Sequence, residues 1–206
     1  MDQAVGIAAH SISCQRGGRT LFKALSFAVP PGEALFVSGP NGAGKTSLLR
    51  MLAGLLPLAA GRFSVDPHVE APLPELCHYV GHASAVKSAL SVEENLAFWA
   101  DYLGGAREAT DAALDVFGLE PLAHLPAALL SAGQRRKLAL SRLFVAKRPV
   151  WLLDEPSVSL DAASVKLLDR AIAAHLKGGG IAIVASHTPL KVKFSHQLAL
   201  GAERAA

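Results

Sequence analysis

Eight residues, Gly39-Pro40-Asn41-Gly42-Ala43-Gly44-Lys45-Thr46, leave this chain little choice of architecture, because their spacing, G-x-x-x-x-G-K-[ST], is that of a phosphate-binding loop. The apolar run from Ala34 to Ser38 before it reads as a strand. The amphipathic pattern from Lys45 to Ala53 after it reads as a helix stopped by Gly54. Glycines let the backbone curl so that successive N–H groups face phosphate oxygens, and the helix start adds its positive end. Lys45 brings a full charge to the β- and γ-phosphates, the Thr46 hydroxyl suits Mg2+, and Ser47 can reach a further phosphate oxygen. The expected ligand is a nucleoside triphosphate.

Holding a nucleotide is not hydrolysing it, and hydrolysis calls for an acid at the end of a second buried strand. Val150-Trp151-Leu152-Leu153 is such a strand, and Asp154 and Glu155 follow it. Asp154 is placed to hold Mg2+, directly or through water, and Glu155 to polarise a water in line with the γ-phosphate. Ser186-His187 follows another buried strand, Ile181 to Ala185. The carboxyl ends of strands are where α/β sheets bind ligands.

The remaining pattern supports a mainly parallel sheet. Gly6 to Ser13 and Leu25 to Val29 read as antiparallel strands around a Gly17-Gly18 turn, and Arg62 to Val65 and His78 to Val80 as short strands. Ser91 with Glu94 is a capping box opening a helix to Leu103, and Arg107 to Phe117 reads as a second helix. Residues from about 85 to 135 therefore form a helical insert in an α/β chain. Beyond it come a helix over Ala132 to Phe144 and another over Ala162 to Lys177, with Val165, Leu168, Ile172 and Leu176 on one face. Apolar strands alternating with such helices predict a sheet covered on both faces.

At 206 residues a single domain is expected. Lys+Arg 20 against Asp+Glu 17 leaves a small, dispersed positive charge that argues against nucleic acid as partner. The one basic run, Arg135-Arg136-Lys137, points around a helix in three directions and reads as solvated or dimer-facing. Mean hydropathy is +0.33, yet the longest stretch without a charged residue, Pro121 to Gln134, has 14 residues and includes Pro126. That is short of the roughly 20 apolar residues of a spanning helix, and Met1-Asp2-Gln3 does not open a secretion signal. Cys14 and Cys77 lack metal-type spacing and read as buried thiols.

Leu130-Ser131-Ala132-Gly133-Gln134 resembles the LSGGQ signature of ATP-binding-cassette (ABC) proteins. With GPNGAGKT before it and WLLDEP, Ser159-Leu160-Asp161 and Ser186-His187 after it, nearly the whole chain resembles one ABC ATP-binding domain. The fold implied is α/β, a P-loop NTPase of the ABC ATPase type: a mainly parallel sheet core with an antiparallel β subdomain and a helical subdomain. Within the family, LSAGQ followed by Arg135 to Leu143 is similar to the ATPase subunits of haem-exporter-type transporters in cytochrome c maturation. Arg19-Thr20-Leu21-Phe22, Gly81-His82 with Glu94-Asn95-Leu96, and Gly178-Gly179-Gly180 agree with this.

The resemblance implies an ATPase with ATP and Mg2+ as cofactors, coupled to translocation. It implies a head-to-tail homodimer in which Ser131, beside Ala132, Gly133 and Gln134, completes the γ-phosphate site of the other copy. Asp161 would lie at the dimer seam, and His187 would contact the γ-phosphate. An integral membrane subunit and other cytochrome c maturation proteins would be partners, with the chain peripheral on the cytoplasmic face of the inner membrane. Two positions depart from the family. Ala83 stands where a glutamine is usual, so His82 or a water is expected to replace it, and Arg16 stands where an aromatic residue usually stacks on adenine. A guanidinium plane can also stack there. The readings left open are the ATP-binding subunit of another ABC transporter, a soluble ABC ATPase, an ordinary P-loop kinase or regulatory NTPase, and a binding-only module.

Overall fold

The structure is a computed structural model that describes residues 4–187 and 190–201, so Met1-Asp2-Gln3 lies outside the described residues. Strands β1 (Gly6–Arg16) and β2 (Arg19–Val29) form an antiparallel ribbon around Gly17-Gly18. Both run further than the sequence pattern suggests, because register shifts interrupt their alternation. Ser11 and Ala24 take positive φ (47° and 51°) near these shifts, and the Ser13 hydroxyl accepts the Ala24 N–H at 3.1 Å. After β2 the chain enters a second sheet as β3 (Ala34–Ser38), forms α1 (Lys45–Leu52), and returns as β4 (Ala60–Asp66) to pair with β1.

The second sheet is parallel throughout, in the order β5 (Cys77–Val80), β6 (Val150–Asp154), β7 (Ile181–Ala185), β3, β8 (His196–Ala199). Its inner strands β6, β7 and β3 read as nearly continuous apolar runs because they serve two cores. Leu35, Val37, Val150, Leu152, Ile181 and Ile183 pack with α1 and the antiparallel sheet. Ala34, Trp151, Leu153, Ala182 and Val184 pack on the other side with the helices.

Those helices are α2 (Val92–Leu103), α3 (Ala109–Asp115), α4 (Ala132–Ser141) and α5 (Ala162–Lys177). The Ser91–Glu94 capping box opens α2 as expected, and Gly104 ends it in the left-handed conformation. α3 is shorter than expected at both ends, and α4 gives way at Arg142–Phe144 to a tighter 3-10 turn. On α5, Leu168 and Ile172 are fully buried, while Val165 and Leu176 sit at the rim of the core. Among the described residues no helix is long and apolar enough to cross a membrane. Cys14 and Cys77 are free and buried, and burial pushes the Cys77 thiol up to about 12, leaving it unreactive.

The strand order decides where chemistry can occur. Neighbours β5, β6, β7 and β3 all end at one edge, and there they deliver Gly81-His82, Asp154-Glu155, Ser186-His187 and the glycine loop.

Candidate functional site

The glycine loop is shaped by close approach. A Cβ at Gly39, whose φ is 139°, would lie 2.3 Å from the Leu200 carbonyl oxygen. Gly44 caps α1 with φ 103° and supplies no capping side chain, and the first turn carries no acid. The N–H groups that open α1 thus remain turned toward the loop for an anion. Ala43 packs into the core and Pro40 braces the loop, whereas Asn41, Gly42, Gly44, Lys45, Thr46 and Ser47 line a cavity of about 760 Å³. Lys45 donates to the Gly39 and Pro40 carbonyls at 2.7 and 3.1 Å and lies 3.1 Å from His187 Nε2. The Asn41 side-chain oxygen lies 3.0 Å from the same nitrogen.

Across the cavity the Thr46 hydroxyl donates to Asp154 Oδ2 at 2.8 Å, and Asp154 is only 2% exposed. A hydroxyl and a carboxylate are hard oxygen ligands of the kind Mg2+ takes. No group of three or more His, Cys, Asp or Glu side chains among the described residues could hold a metal alone. An ion between Thr46 and Asp154 would therefore complete its shell from phosphate and water, which is the habit of Mg2+. Glu155 turns the chain with φ 49°. Its carboxylate accepts the His187 N–H at 3.1 Å and the Ser186 hydroxyl at 3.2 Å, and its main-chain N–H extends the ladder to Ala185. These donors hold the carboxylate at the cavity wall with acceptor positions left for a water.

The β1–β2 ribbon contributes Arg16, Gly17, Arg19 and Leu21 to the cavity, and the segment after β5 contributes His82. Arg16 and Arg19 are register partners flanking the turn, and both line the cavity. The sequence pointed to Arg16 but not to Arg19, whose single signal was its place beside the turn.

Ser131 to Gln134 and Asp161 do not line this cavity. Ser131 caps α4: its hydroxyl accepts the Gln134 N–H at 3.2 Å, and Gln134 Oε1 accepts the Ser131 N–H at 2.8 Å. Ala132 is exposed, but a Cβ at Gly133 would come within 2.8 Å of the Ser159 carbonyl oxygen. The second glycine of the signature is thus demanded by packing, while its first position accepts alanine. Asp161 caps α5. The Ser164 N–H at 2.7 Å and hydroxyl at 2.9 Å, helped by Lys137 at 3.3 Å, hold its carboxyl down to about 2.

The basic run on α4 corrects the reading as solvated or dimer-facing. Arg136 is 3% exposed, and its guanidinium donates to the carbonyls of Gly81, Asp154, Glu155 and Pro156. Successive residues do point three ways around the helix, and the middle direction leads to the carboxyl ends of β5 and β6. Arg135, half-buried, folds back to the Leu130 carbonyl.

A triphosphate cradle, a hydroxyl–carboxylate pair and a second carboxylate thus surround one cavity, with the signature outside it. The family model for ABC transporters matches residues 22–158. The chain belongs to the ABC transporter family. This ABC ATPase is 51% identical over 90% of its length, and 94% of the relative's, to the cytochrome c biogenesis ATP-binding export protein CcmA of Nitrobacter winogradskyi. To the protein of the same name from Chelativorans sp. it is 48% identical, with 95% and 98% covered. Its fold is shared with a protein of Pyrococcus furiosus described as an ABC transporter ATP-binding protein, at TM-score 0.80 and 22% identity, covering 95% and 97%. A second solved structure, the ATP-binding subunit of an ABC transporter, aligns at TM-score 0.78 and 23% identity, covering 88% and 79%. The ABC ATPase therefore has the fold that its motifs implied, and it hydrolyses ATP in the manner of its family.

Proposed function

We propose that this chain is the ATP-hydrolysing subunit of a haem-exporter-type transporter that serves maturation of c-type cytochromes. What carries the reading is identity near one half, over nearly the full chain, to proteins named as cytochrome c biogenesis export ATPases, in a molecule whose ATPase residues meet in one cavity. ATP enters with its phosphates on the glycine loop, and Lys45 exchanges the Gly39 and Pro40 carbonyls for phosphate oxygens. Arg16 stacks on the base, and Ser47 meets a further phosphate oxygen. Thr46 and Asp154 would hold Mg2+, which would supply positive charge against the phosphates. Glu155 orients the attacking water and receives its proton, and His187 senses the γ-phosphate.

The signature residues act on a second copy in this reading. Ser131, with the N–H groups of Ala132 and Gly133 at the start of α4 and Gln134 locking the cap, faces the γ-phosphate of the partner's site, and Asp161 lies at the seam. The assembly is a homodimer that ATP closes and hydrolysis reopens. Its motion passes to an integral, CcmB-like membrane subunit and other cytochrome c maturation proteins at the cytoplasmic face of the inner membrane. His82 lines the cavity, and in this reading it or a water replaces the glutamine usual at the position of Ala83 in that coupling loop.

The test is affinity isolation of the tagged chain from membranes. Recovery of a small multi-span subunit together with cytochrome maturation proteins is expected. Recovery of ribosomes, DNA or an unrelated permease would overturn the proposal.

A further inference from the structure

Arg136 is a buried cation that meets no carboxylate oxygen in its hydrogen bonds. Nε donates to Pro156 O at 3.1 Å, Nη1 to Gly81 O at 2.7 Å, and Nη2 to Asp154 O at 2.9 Å and Glu155 O at 2.8 Å. Along a regular strand successive carbonyls point to opposite sides, so three consecutive ones cannot reach a single guanidinium. Here they do, because the chain turns at Glu155 through φ 49°, a conformation that glutamate seldom adopts. The same turn aims the Glu155 carboxylate at the His187 N–H and Ser186 hydroxyl. Burial pulls the basicity of Arg136 down, and the nearby charges of Asp154 and Glu155 restore part of it. Arg136 also belongs to α4, the helix capped by Ser131, and its fourth bond reaches the residue before His82.

We propose that Arg136 is a positioning residue for ATP hydrolysis: its guanidinium clamps the Asp154–Glu155–Pro156 carbonyls, keeps Glu155 in the turn that directs its carboxylate, and ties that turn to the signature-bearing helix. It touches neither nucleotide nor water and acts through Glu155. A lysine can satisfy part of this fork from a single nitrogen but cannot span Gly81 and Pro156 at once. Methionine keeps the volume and satisfies none of it.

This inference rests on the hydrolytic role of Glu155, so full-length wild type is measured beside the variants. For Arg136→Met, kcat should fall about 10- to 100-fold while the dissociation constant for ATP stays within about threefold. Arg136→Lys should recover part of that loss. Arg142→Met removes another buried arginine, one that donates to Ala139 O and lies over the Trp99 ring, 4.4 Å from its centroid. It should lower the melting temperature yet leave kcat per folded molecule unchanged. A folded Arg136→Met chain with wild-type kcat would overturn the proposal, as would a loss of ATP affinity matching the loss of kcat, or an equal fall in kcat for Arg142→Met. Should Arg136→Met not fold, Arg136→Lys decides, and wild-type kcat in that variant overturns the proposal. A wild-type chain unable to hydrolyse ATP brings down the hydrolytic reading itself, whereas an active wild type matched by Arg136→Met brings down this inference alone.

Discussion

Thr46 Oγ1 donates to Asp154 Oδ2 at 2.8 Å, a bond between residues 108 positions apart that joins the glycine loop to the strand carrying the acids. Because Asp154 is almost fully buried, the hydroxyl does two tasks. It satisfies a carboxylate that would otherwise lie in the protein short of a donor, and it gathers the oxygens that suit Mg2+. Thr46→Val keeps the shape and removes the oxygen. It should cost about 1–3 kcal/mol of stability in denaturant titrations. It should also abolish the difference in ATP affinity measured with and without Mg2+; a variant that retains that difference rules out Thr46 as a ligand.

The Glu155 carboxylate is held by donors from the end of β7 and faces the cavity. Glu155→Gln preserves that shape but cannot take a proton. Turnover should fall by about 100-fold or more, and the chain should run as an ATP-bound dimer in size-exclusion chromatography with saturating ATP. A monomeric elution would sink the composite-site mechanism.

Gly133 approaches the Ser159 carbonyl too closely for a side chain. Gly133→Ala must shift either α4 or the segment before α5, and both carry residues assigned to the second copy's site. ATP affinity measured on the monomer should remain within about twofold while turnover drops at least tenfold. Equal losses in both would place Gly133 in the site of its own chain instead.

Strands buried on both faces announced themselves: Ala34–Ser38 and Ile181–Ala185 have the bounds that their apolar runs predict. The capping pair Ser91–Glu94 was equally legible, since a cap is a local bargain between residues three apart, whereas the Ser131–Gln134 cap was hidden by the signature it belongs to. β8 was not, because a four-residue edge strand alternating half-buried and exposed carries little apolar signal. Arg136 was the deeper omission. Its partners are main-chain carbonyls, which every residue has, so nothing in Arg135-Arg136-Lys137 distinguishes the buried arginine from its half-exposed neighbours.

On the edge strand β5, burial pushes the His78 imidazole down to about 4 from its ordinary 6.5, and its Nε2–H donates to the Ala146 carbonyl at 2.8 Å. His175, stacked on Trp151 with ring centroids 4.0 Å apart, is lowered by burial as well. The unfolded chain binds the His78 proton first as pH falls, so stability is complete above about 6.5 and declines toward about 4. The His78 share is roughly 3 kcal/mol at most. Urea titrations from pH 7 to pH 4 should show this decline, and His78→Gln should flatten it. An unchanged slope in the variant would assign the acid sensitivity elsewhere.

Arg16 and Arg19 line the cavity, and in the proposed complex Arg16 stacks on the base. Arg16→Ala should weaken ATP binding roughly 3- to 10-fold with little effect on kcat at saturation, as loss of one cation–π contact implies. Unaltered affinity would mean that the guanidinium is only solvated.

The sheet order has a consequence for how the molecule is made. β3, which launches the glycine loop, lies between β7 and β8, the last two strands among the described residues. The loop therefore precedes in the chain both of the strands that flank it, and the sheet beneath it closes only through contacts between segments distant in sequence, a kind of pairing that is intrinsically slow to form.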